Sequence, residues 1–299
     1  MGRFLLKLFL FGISAFAAAW AIEAVLYLQM QDRRAHVHED WPDLRGLDAD
    51  FVFVGNSRTA GHVIPKRIEQ HGLKGYNIAY DGYTAQMGGY RLEYILDHTD
   101  HPPRYVFVQT DLSFIPGDGR MTHYPMKDGV LRYFLLDQIG INKYYRNFAN
   151  WREADAFLPL LRYKGYPLIF VKHLLGWNRW DRRGEQGFWH KDKEVGFALP
   201  PLDSAHREVI SLCGLDSICE ARGIQLIGVI PPSPQSRYRP SDLALNGLPS
   251  GMPVWDLSAL FEGDDSLYFY DPAHFSLKGA EIYSDSLSLR FSQLLQSAH

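Results

Sequence analysis

The sequence predicts an α/β domain, built as a three-layer α/β/α sandwich with a parallel sheet, behind an N-terminal transmembrane helix. Short apolar runs without alternation recur along the chain, helical segments lie between them, and a long apolar stretch stands at the N-terminus. Continuous apolarity is typical of strands that helices cover on both faces, as in a parallel sheet. The alternation of such strands with helices indicates a doubly wound topology.

The N-terminal stretch is apolar over about the 20 residues that a bilayer-spanning helix requires. Arg3 and Lys7 lie near its start, so the positive-inside rule places the N-terminus in the cytoplasm and the domain across the membrane. We therefore assign residues 1–30 as a single anchor in the cytoplasmic membrane, with the domain on the periplasmic or extracellular side. A cleaved signal peptide is the alternative, and it also exports the domain.

The domain is predicted to span residues 50–299, after a charged and aperiodic linker at residues 31–49. Its strands are predicted from short, nearly continuous apolar runs at residues 50–54, 75–79, 105–109, 225–230 and 253–257. Its helices are predicted at residues 86–98, 204–222 and 277–295.

Residues 114–202 interrupt this pattern, because they are too long for a simple loop between a strand and the next helix. We interpret them as an inserted helical cap beside the site. Their aromatic and basic residues suit a membrane interface or a partner protein, although an aromatic face turned toward the core is the commoner explanation.

Composition excludes several classes of function. The 31 basic and 34 acidic residues are spread along the chain with a net charge of -3, so nucleic acid is not an expected partner. The histidines outside the candidate site, His62 and His98 among them, have no metal-ligand spacing, and no glycine-rich phosphate loop is present. We therefore expect neither a metal nor a cofactor.

The two cysteines, Cys213 and Cys219, fall within the helix predicted at residues 204–222. Six residues of helix separate two Cα atoms by about 9 Å, whereas a disulfide requires less than about 7 Å. We expect unpaired, buried thiols, unless Gly214 breaks the helix.

Polar residues follow the predicted strands at their carboxyl ends, where ligands bind in open parallel sheets. Ser57 follows the first strand, and Asp271 and His274 lie on the loop before the last helix. A carboxylate three residues from a histidine can accept a hydrogen bond from one imidazole nitrogen, leaving the other to take a proton from a serine. The sequence therefore predicts a catalytic triad of Ser57, His274 and Asp271.

The backbone N–H groups of Ser57 and Gly82 are the predicted oxyanion hole for an acyl-transfer reaction. Arg58 could bind an anionic substrate or face solvent. Simpler explanations exist for the triad itself: Ser57 and Asp271 could cap helices, and His274 could be a histidine with a purely structural role.

The segment GNSR after the first strand, a glycine after the second, an acidic residue after the third and DPAHFSLKG before the last helix resemble the ordered blocks of the SGNH/GDSL hydrolase superfamily. The anchor, the serine followed by arginine and the Asp-x-x-His-Phe run resemble its membrane-anchored branch. That branch includes alginate O-acetylation proteins and the D-alanine transfer protein of teichoic acids. The resemblance covers roughly residues 50–110 and 255–299.

Two positions depart from the pattern of that superfamily. Asn56 stands where many members carry aspartate, and Thr110 and Asp111 stand where an asparagine would supply another oxyanion donor. An ionised Asp111 would oppose an oxyanion. We therefore assign Asp111 a structural role or a role in binding a substrate hydroxyl. The candidate substrate-binding residues are Arg58, Thr110 and Asp111.

The resemblance implies a serine O-acyltransferase or esterase that acts, without a cofactor, on acyl groups of a cell-envelope polysaccharide, with acetyl the expected group. Members often work beside a membrane-bound O-acyltransferase, which is the expected partner. Transferase and esterase share the acyl-serine step, so the sequence leaves both open. The alternative is a non-catalytic member of the fold that binds glycan or scaffolds a polysaccharide synthesis or modification complex.

Overall fold

The structure, a computed structural model, describes residues 1–31, 44, 46–70, 72–79, 85–110, 188, 212, 214–233, 248–261, 267–271 and 273–297. The chain divides into two compact units, one with the N-terminal helix and one with the sheet. Apart from Phe188, the predicted cap at residues 114–202 lies outside the described residues, as does most of the predicted linker.

The N-terminal helix α1 spans Gly2–Gln31. Within it, Gly2–Ile22 is long and apolar enough to cross a membrane. Large apolar side chains such as Phe4, Phe9 and Phe11 are exposed to solvent, which is unlike the core helix of a soluble protein. A signal sequence near the N-terminus passes the same test of length and composition, so that alternative stays open.

One sheet of five parallel strands forms the centre of the second unit. The strands are β1 at Phe51–Val54, β2 at Gly75–Asn77, β3 at Tyr105–Gln109, β4 at Gln225–Ile230 and β5 at Val254–Asp256. The helices are α2 at Ser57–His62, α3 at Pro65–Ile68, α4 at Ala85–His98, α5 at Leu215–Ala221 and α6 at Leu277–Ser297. The predicted parallel α/β architecture is confirmed, and β3 and β4 have the predicted bounds.

The core on one face of the sheet is aromatic. Phe53 of β1 stacks on Phe107 of β3 with ring centroids 4.8 Å apart, and Phe291 of α6 meets Phe51 edge-on at 5.2 Å. Alternate residues of a strand share a face, so Phe51 and Phe53 point the same way. Burial of each such ring stabilises the fold by roughly 1.5–3 kcal/mol. These contacts attach the C-terminal helix to the first strand.

The strand order is β2-β1-β3-β4-β5, so the direction of chain progression reverses at β1. β2 lies on one side of β1 and β3 on the other. In open parallel sheets, the loops after the strands diverge at such a reversal and leave a crevice in which ligands bind. The segments that follow β1 and β3 are therefore where the fold favours a site.

Helix α5 is shorter than the sequence predicts. Gly214 has φ +88°, in the left-handed region, and α5 begins only at Leu215. Glycine adopts this conformation readily, and a continuous helix cannot pass through it. The prediction of one helix over residues 204–222 is therefore wrong at Gly214, and residues 204–211 lie outside the described residues.

The sheet unit also begins earlier than the predicted residue 50. The N–H of Gly46 donates to the carbonyl of His98 at 2.9 Å, and the Thr99 hydroxyl donates to the carbonyl of Leu47 at 2.9 Å. These bonds connect the last residues of the predicted linker to the end of α4.

Candidate active site

Ser57 is the first residue of α2 and follows β1 after a turn of two residues. A methyl group on Gly55 would overlap the Thr59 side chain, so this close return of the chain requires glycine. Asn56 is the N-cap, and its Oδ1 accepts a hydrogen bond from the Arg58 N–H at 2.9 Å. The capping explanation for Ser57 is therefore wrong, since Asn56 performs that role.

The structure brings the three predicted triad residues together. Ser57 Oγ lies 2.9 Å from His274 Nε2, across 217 residues of sequence. His274 Nδ1 lies 2.9 Å from both Oδ1 and Oδ2 of Asp271. An ionised carboxylate only accepts, so Nδ1–H donates to Asp271 and Nε2 of the neutral ring accepts from the Ser57 hydroxyl. The arrangement suits removal of the serine proton.

The Asp271 carboxylate is the centre of a small turn. Its Oδ1 also accepts hydrogen bonds from the N–H groups of Ala273 and His274, both at 2.8 Å. Burial raises the pKa of the Asp271 carboxyl, but the hydrogen bonds from Ala273 and His274 outweigh it, and the net pKa is lowered. Asp271 is therefore ionised at neutral pH and can stabilise a protonated imidazole.

The explanation of Asp271 as a helix cap is also wrong. Helix α6 begins at Leu277, and there the Ser276 hydroxyl accepts a hydrogen bond from the Gly279 N–H at 3.2 Å. The Asp271 carboxylate bonds instead within its own turn.

Asp271 and His274 lie on a loop that precedes α6, here called the histidine loop, residues 267–271 and 273–276. Phe269 and Phe275 form an antiparallel bridge across it, and the Tyr270 N–H donates to the His274 carbonyl at 2.7 Å. A methyl group on Gly279 would overlap the Tyr268 carbonyl, so the return of the loop onto α6 requires glycine. The His274 and Asp271 side chains are 16% and 27% exposed, which leaves them accessible to a substrate.

The predicted oxyanion hole is described only in part. The Ser57 N–H lies at the start of α2 and has no acceptor in the part of the chain that the structure describes. It is therefore available to a negatively charged oxygen. Gly82 lies outside the described residues, so its role stays a prediction.

Thr110 directly follows β3 and is fully buried. Its N–H donates to the Val229 carbonyl at 2.9 Å, while its hydroxyl has no hydrogen-bond partner among the described residues. The N–H is thus occupied by the sheet and is not free for an oxyanion. Asp111 lies outside the described residues, and the assignment of both residues to substrate binding stays a prediction.

Arg58 is 6% exposed, and its Nη2 donates to the carbonyl of Pro232 at 3.0 Å. The alternative that Arg58 faces solvent is therefore wrong. Its guanidinium connects α2 to the segment after β4, at the same edge of the sheet as Ser57. A role in binding an anionic substrate stays a prediction.

Sequence reasoning missed the side chains that attach α2 to the sheet. The Asn77 side chain, at the end of β2, donates to the carbonyls of Thr59 at 2.8 Å and Val63 at 3.1 Å, and accepts from the Ala79 N–H at 3.1 Å. The Thr59 hydroxyl donates to Oε1 of Gln109 at the end of β3. A signal was present, because β2 ends in the polar residue Asn77 and β3 in the polar residue Gln109.

Other chemistry has little support in the described residues. Cys219 is buried and unpaired, as expected, although Gly214 interrupts the predicted helix; Cys213 lies outside the described residues. Burial raises the pKa of the Cys219 thiol to about 12, so it is not a nucleophile at neutral pH. No group of three His, Cys, Asp or Glu side chains in the described ranges could bind a metal ion.

No family model matches this chain, and no curated protein is significantly similar to it in sequence. The functional argument therefore depends on the residues themselves and on their geometry.

Proposed function

We propose that this protein is a serine O-acyltransferase or esterase of the SGNH type, whose reaction passes through an acyl ester of Ser57. One observation carries the proposal: Ser57, His274 and Asp271 are joined in series by hydrogen bonds of 2.9 Å. A serine that caps a helix, or a histidine that only fills space, has no need of this arrangement.

In the first half of the proposed reaction, Ser57 Oγ attacks the carbonyl carbon of an acyl ester while His274 Nε2 takes the hydroxyl proton. The Asp271 carboxylate stabilises the resulting imidazolium. The Ser57 N–H, with Gly82 as the proposed second donor, binds the negative carbonyl oxygen. The bond to the leaving alcohol then breaks, His274 returns the proton to that alcohol, and the acyl group stays on Ser57.

In the second half, a hydroxyl group attacks acyl-Ser57 while His274 accepts its proton. The ester bond to Ser57 breaks, and the proton passes from His274 to Ser57 Oγ. Water as the attacking group gives an esterase, and a sugar hydroxyl gives a transferase. The triad serves both equally, so the proposal includes both.

The SGNH assignment includes the three-layer sandwich. Val52 and Val54 are buried on the face of β1 opposite the aromatic core, which supports a helical layer on each side of the sheet. Helices α4 and α5 pack together, with Gly89 next to Leu215 and Ile218. The inserted cap at residues 114–202 is part of the proposal and, apart from Phe188, lies outside the described residues.

We place the domain outside the cytoplasm, attached by α1 to the membrane. The exposed apolar length of Gly2–Ile22 and the basic residues Arg3 and Lys7 at its N-terminal end support this orientation. The resemblance to membrane-anchored SGNH proteins is the support for a cell-envelope polysaccharide as substrate, acetyl as the acyl group and a membrane-bound O-acyltransferase as partner.

The test uses the full chain in detergent, a fluorophosphonate probe and p-nitrophenyl acetate. We expect the probe to label Ser57 and the ester to be hydrolysed, and Ser57→Ala to abolish both. Ser286→Ala is the matched control, since its hydroxyl donates to the Ile282 carbonyl within α6 and lies outside the site.

A Ser57→Ala variant that is labelled or hydrolyses the ester as fast as wild type would contradict the proposal. A wild-type protein that neither reacts with the probe nor hydrolyses the ester would favour the non-catalytic alternative, a glycan-binding or scaffold subunit.

A further inference from the structure

We propose that His62 is a positioning residue that fixes His274 against Ser57 by stacking on Phe275. This inference rests on the proposed function, because it concerns the geometry of the same hydrogen bond.

Helix α2 carries Ser57 at its first position and His62 at its last. At 1.5 Å per residue, the two positions lie about 7–8 Å apart along the helix axis. The helix is short, and it is buried from Arg58 to His62. The histidine loop contacts α2 at both ends, through His274 at Ser57 and through Phe275 at His62.

At the His62 end of α2, the contact with the histidine loop is a stack of two rings. The His62 side chain is 1% exposed, and its ring lies on Phe275 with centroids 3.6 Å apart and planes inclined by 10°. Phe275 directly follows His274 in the chain. A lateral shift of the loop relative to α2 would separate the two rings and open the stack.

Phe275 is itself firmly packed. It is 1% exposed, and its ring meets Phe261 at 5.0 Å, Phe269 at 5.2 Å and Tyr283 of α6 at 5.4 Å, all edge-on. The His62 ring therefore stacks on a fixed anchor rather than on a mobile side chain.

The His62 and His274 rings meet edge-on, with centroids 6.3 Å apart and planes inclined by 80°. His62 therefore does not stack on His274 itself. Its ring stacks on Phe275, the next residue in the chain after His274. The loop is attached to α2 at two points, the 2.9 Å bond at Ser57 and the stack at His62. Two attachments determine orientation as well as distance, and a misplacement of about 1 Å at such a site costs about 100-fold in rate.

The experiment compares two replacements of His62 in the full chain in detergent, with p-nitrophenyl acetate as substrate. His62→Phe keeps a flat ring, whereas His62→Gln keeps a polar side chain and removes the ring. We expect His62→Gln to lower kcat by about 10- to 100-fold with little change in KM, and His62→Phe to retain most of the wild-type kcat.

His98→Gln is the matched control. His98 in α4 donates a hydrogen bond from Nδ1–H to the Tyr94 carbonyl at 2.8 Å, and its ring centroid lies 4.3 Å from that of Tyr94. The same chemical change there removes a ring contact away from the site, and we expect kcat to be unchanged.

A second measurement is independent of turnover. The proton on His274 Nδ1 that donates to Asp271 should give a strongly downfield nuclear magnetic resonance signal, and His62→Gln should broaden or remove it, whereas His62→Phe should not. If wild type fails to react with the fluorophosphonate, the proposed function fails, while this signal still decides whether His62 positions His274.

Two results would overturn the inference. One is a His62→Gln variant with wild-type kcat and an unchanged signal; the other is an equal loss in the Phe and Gln variants, which would assign the effect to the imidazole nitrogens. If His62→Gln does not fold, Phe275→Leu removes the stack from the other side. It should lower kcat to a similar extent, and a wild-type kcat in that variant would equally overturn the inference.

Discussion

Helix α2 carries Ser57 and the histidine loop carries His274, and the two segments are held in place differently. Hydrogen bonds with side chains of the sheet hold α2, whereas the hydrogen bonds of the histidine loop are mostly within the loop. Asn77 of β2 and Gln109 of β3 both bond to α2, and Arg58 of α2 bonds to the segment after β4. The loop instead relies on short-range bonds to the Asp271 carboxylate and on the Phe269–Phe275 bridge.

Because the two segments are held differently, substitutions near Ser57 and substitutions in the histidine loop should have different effects on stability and on activity. The position of Ser57 depends on hydrogen bonds between α2 and the sheet, so removing the side chains of Asn77 or Gln109 should destabilise the fold. The position of the base depends on a local turn and one buried ring, so polar changes in the loop should reduce activity while the fold persists.

The largest expected effect is on activity, from Asp271→Asn. The amide oxygen can still accept the N–H bonds of Ala273 and His274, so the turn survives, but the neutral group cannot support an imidazolium or enforce the same tautomer. We expect kcat to fall by about 10⁴-fold. The thermal midpoint, followed by circular dichroism, should move by a few degrees or less.

Asp285→Asn is the control for this change, since Asp285 is an exposed residue of α6 paired with Arg67. It should leave kcat unaltered. A large fall in the thermal midpoint of Asp271→Asn, with kcat retained in the folded fraction, would instead assign Asp271 a structural role.

The second effect is on stability, from Asn77→Ala. This change removes three hydrogen bonds of a fully buried side chain and leaves the carbonyls of Thr59 and Val63 without that donor. We expect the free energy of unfolding in denaturant to fall by about 2–4 kcal/mol.

Gln70→Ala is the comparison for that loss, because its side chain donates one part-buried bond to the Ser288 carbonyl at 2.9 Å. It should cost about 1 kcal/mol or less. Equal unfolding free energies for Asn77→Ala and wild type would refute the view that the sheet fixes α2 through this residue.

The smallest expected effect is the loss, at low pH, of the stability that ionised Asp271 contributes. The pKa of Asp271 is lowered in the folded protein, although burial alone would raise it, so its ionised form contributes stability above the unfolded-state pKa of about 3.9. That contribution is lost as pH falls through the folded-state pKa. The difference in thermal midpoint between wild type and Asp271→Asn should therefore narrow below about pH 4, and a gap that stays constant with pH would contradict this assignment.

The strands of the sheet and the Asp271–His274 pair were accessible to sequence reasoning because their signals are local, whereas the proximity of Ser57 was inferred from its place at the carboxyl end of a strand. Short, nearly continuous apolar runs predicted all five strands, and the spacing of Asp271 and His274 predicted their hydrogen bond. The contacts that hold α2 in place could not be predicted from local sequence. The burial of Arg58 and the stacking of His62 depend on segments that are distant in sequence, and a left-handed Gly214 cannot be distinguished in sequence from a glycine inside a helix.

Ribosomes make Ser57 long before they make His274, because 217 residues separate the two. The histidine loop directly precedes α6, which packs on the aromatic face of the sheet. A nascent or C-terminally truncated chain therefore carries a serine with no base beside it. In the proposed reaction, such an unfinished chain lacks the imidazole that takes the proton from Ser57.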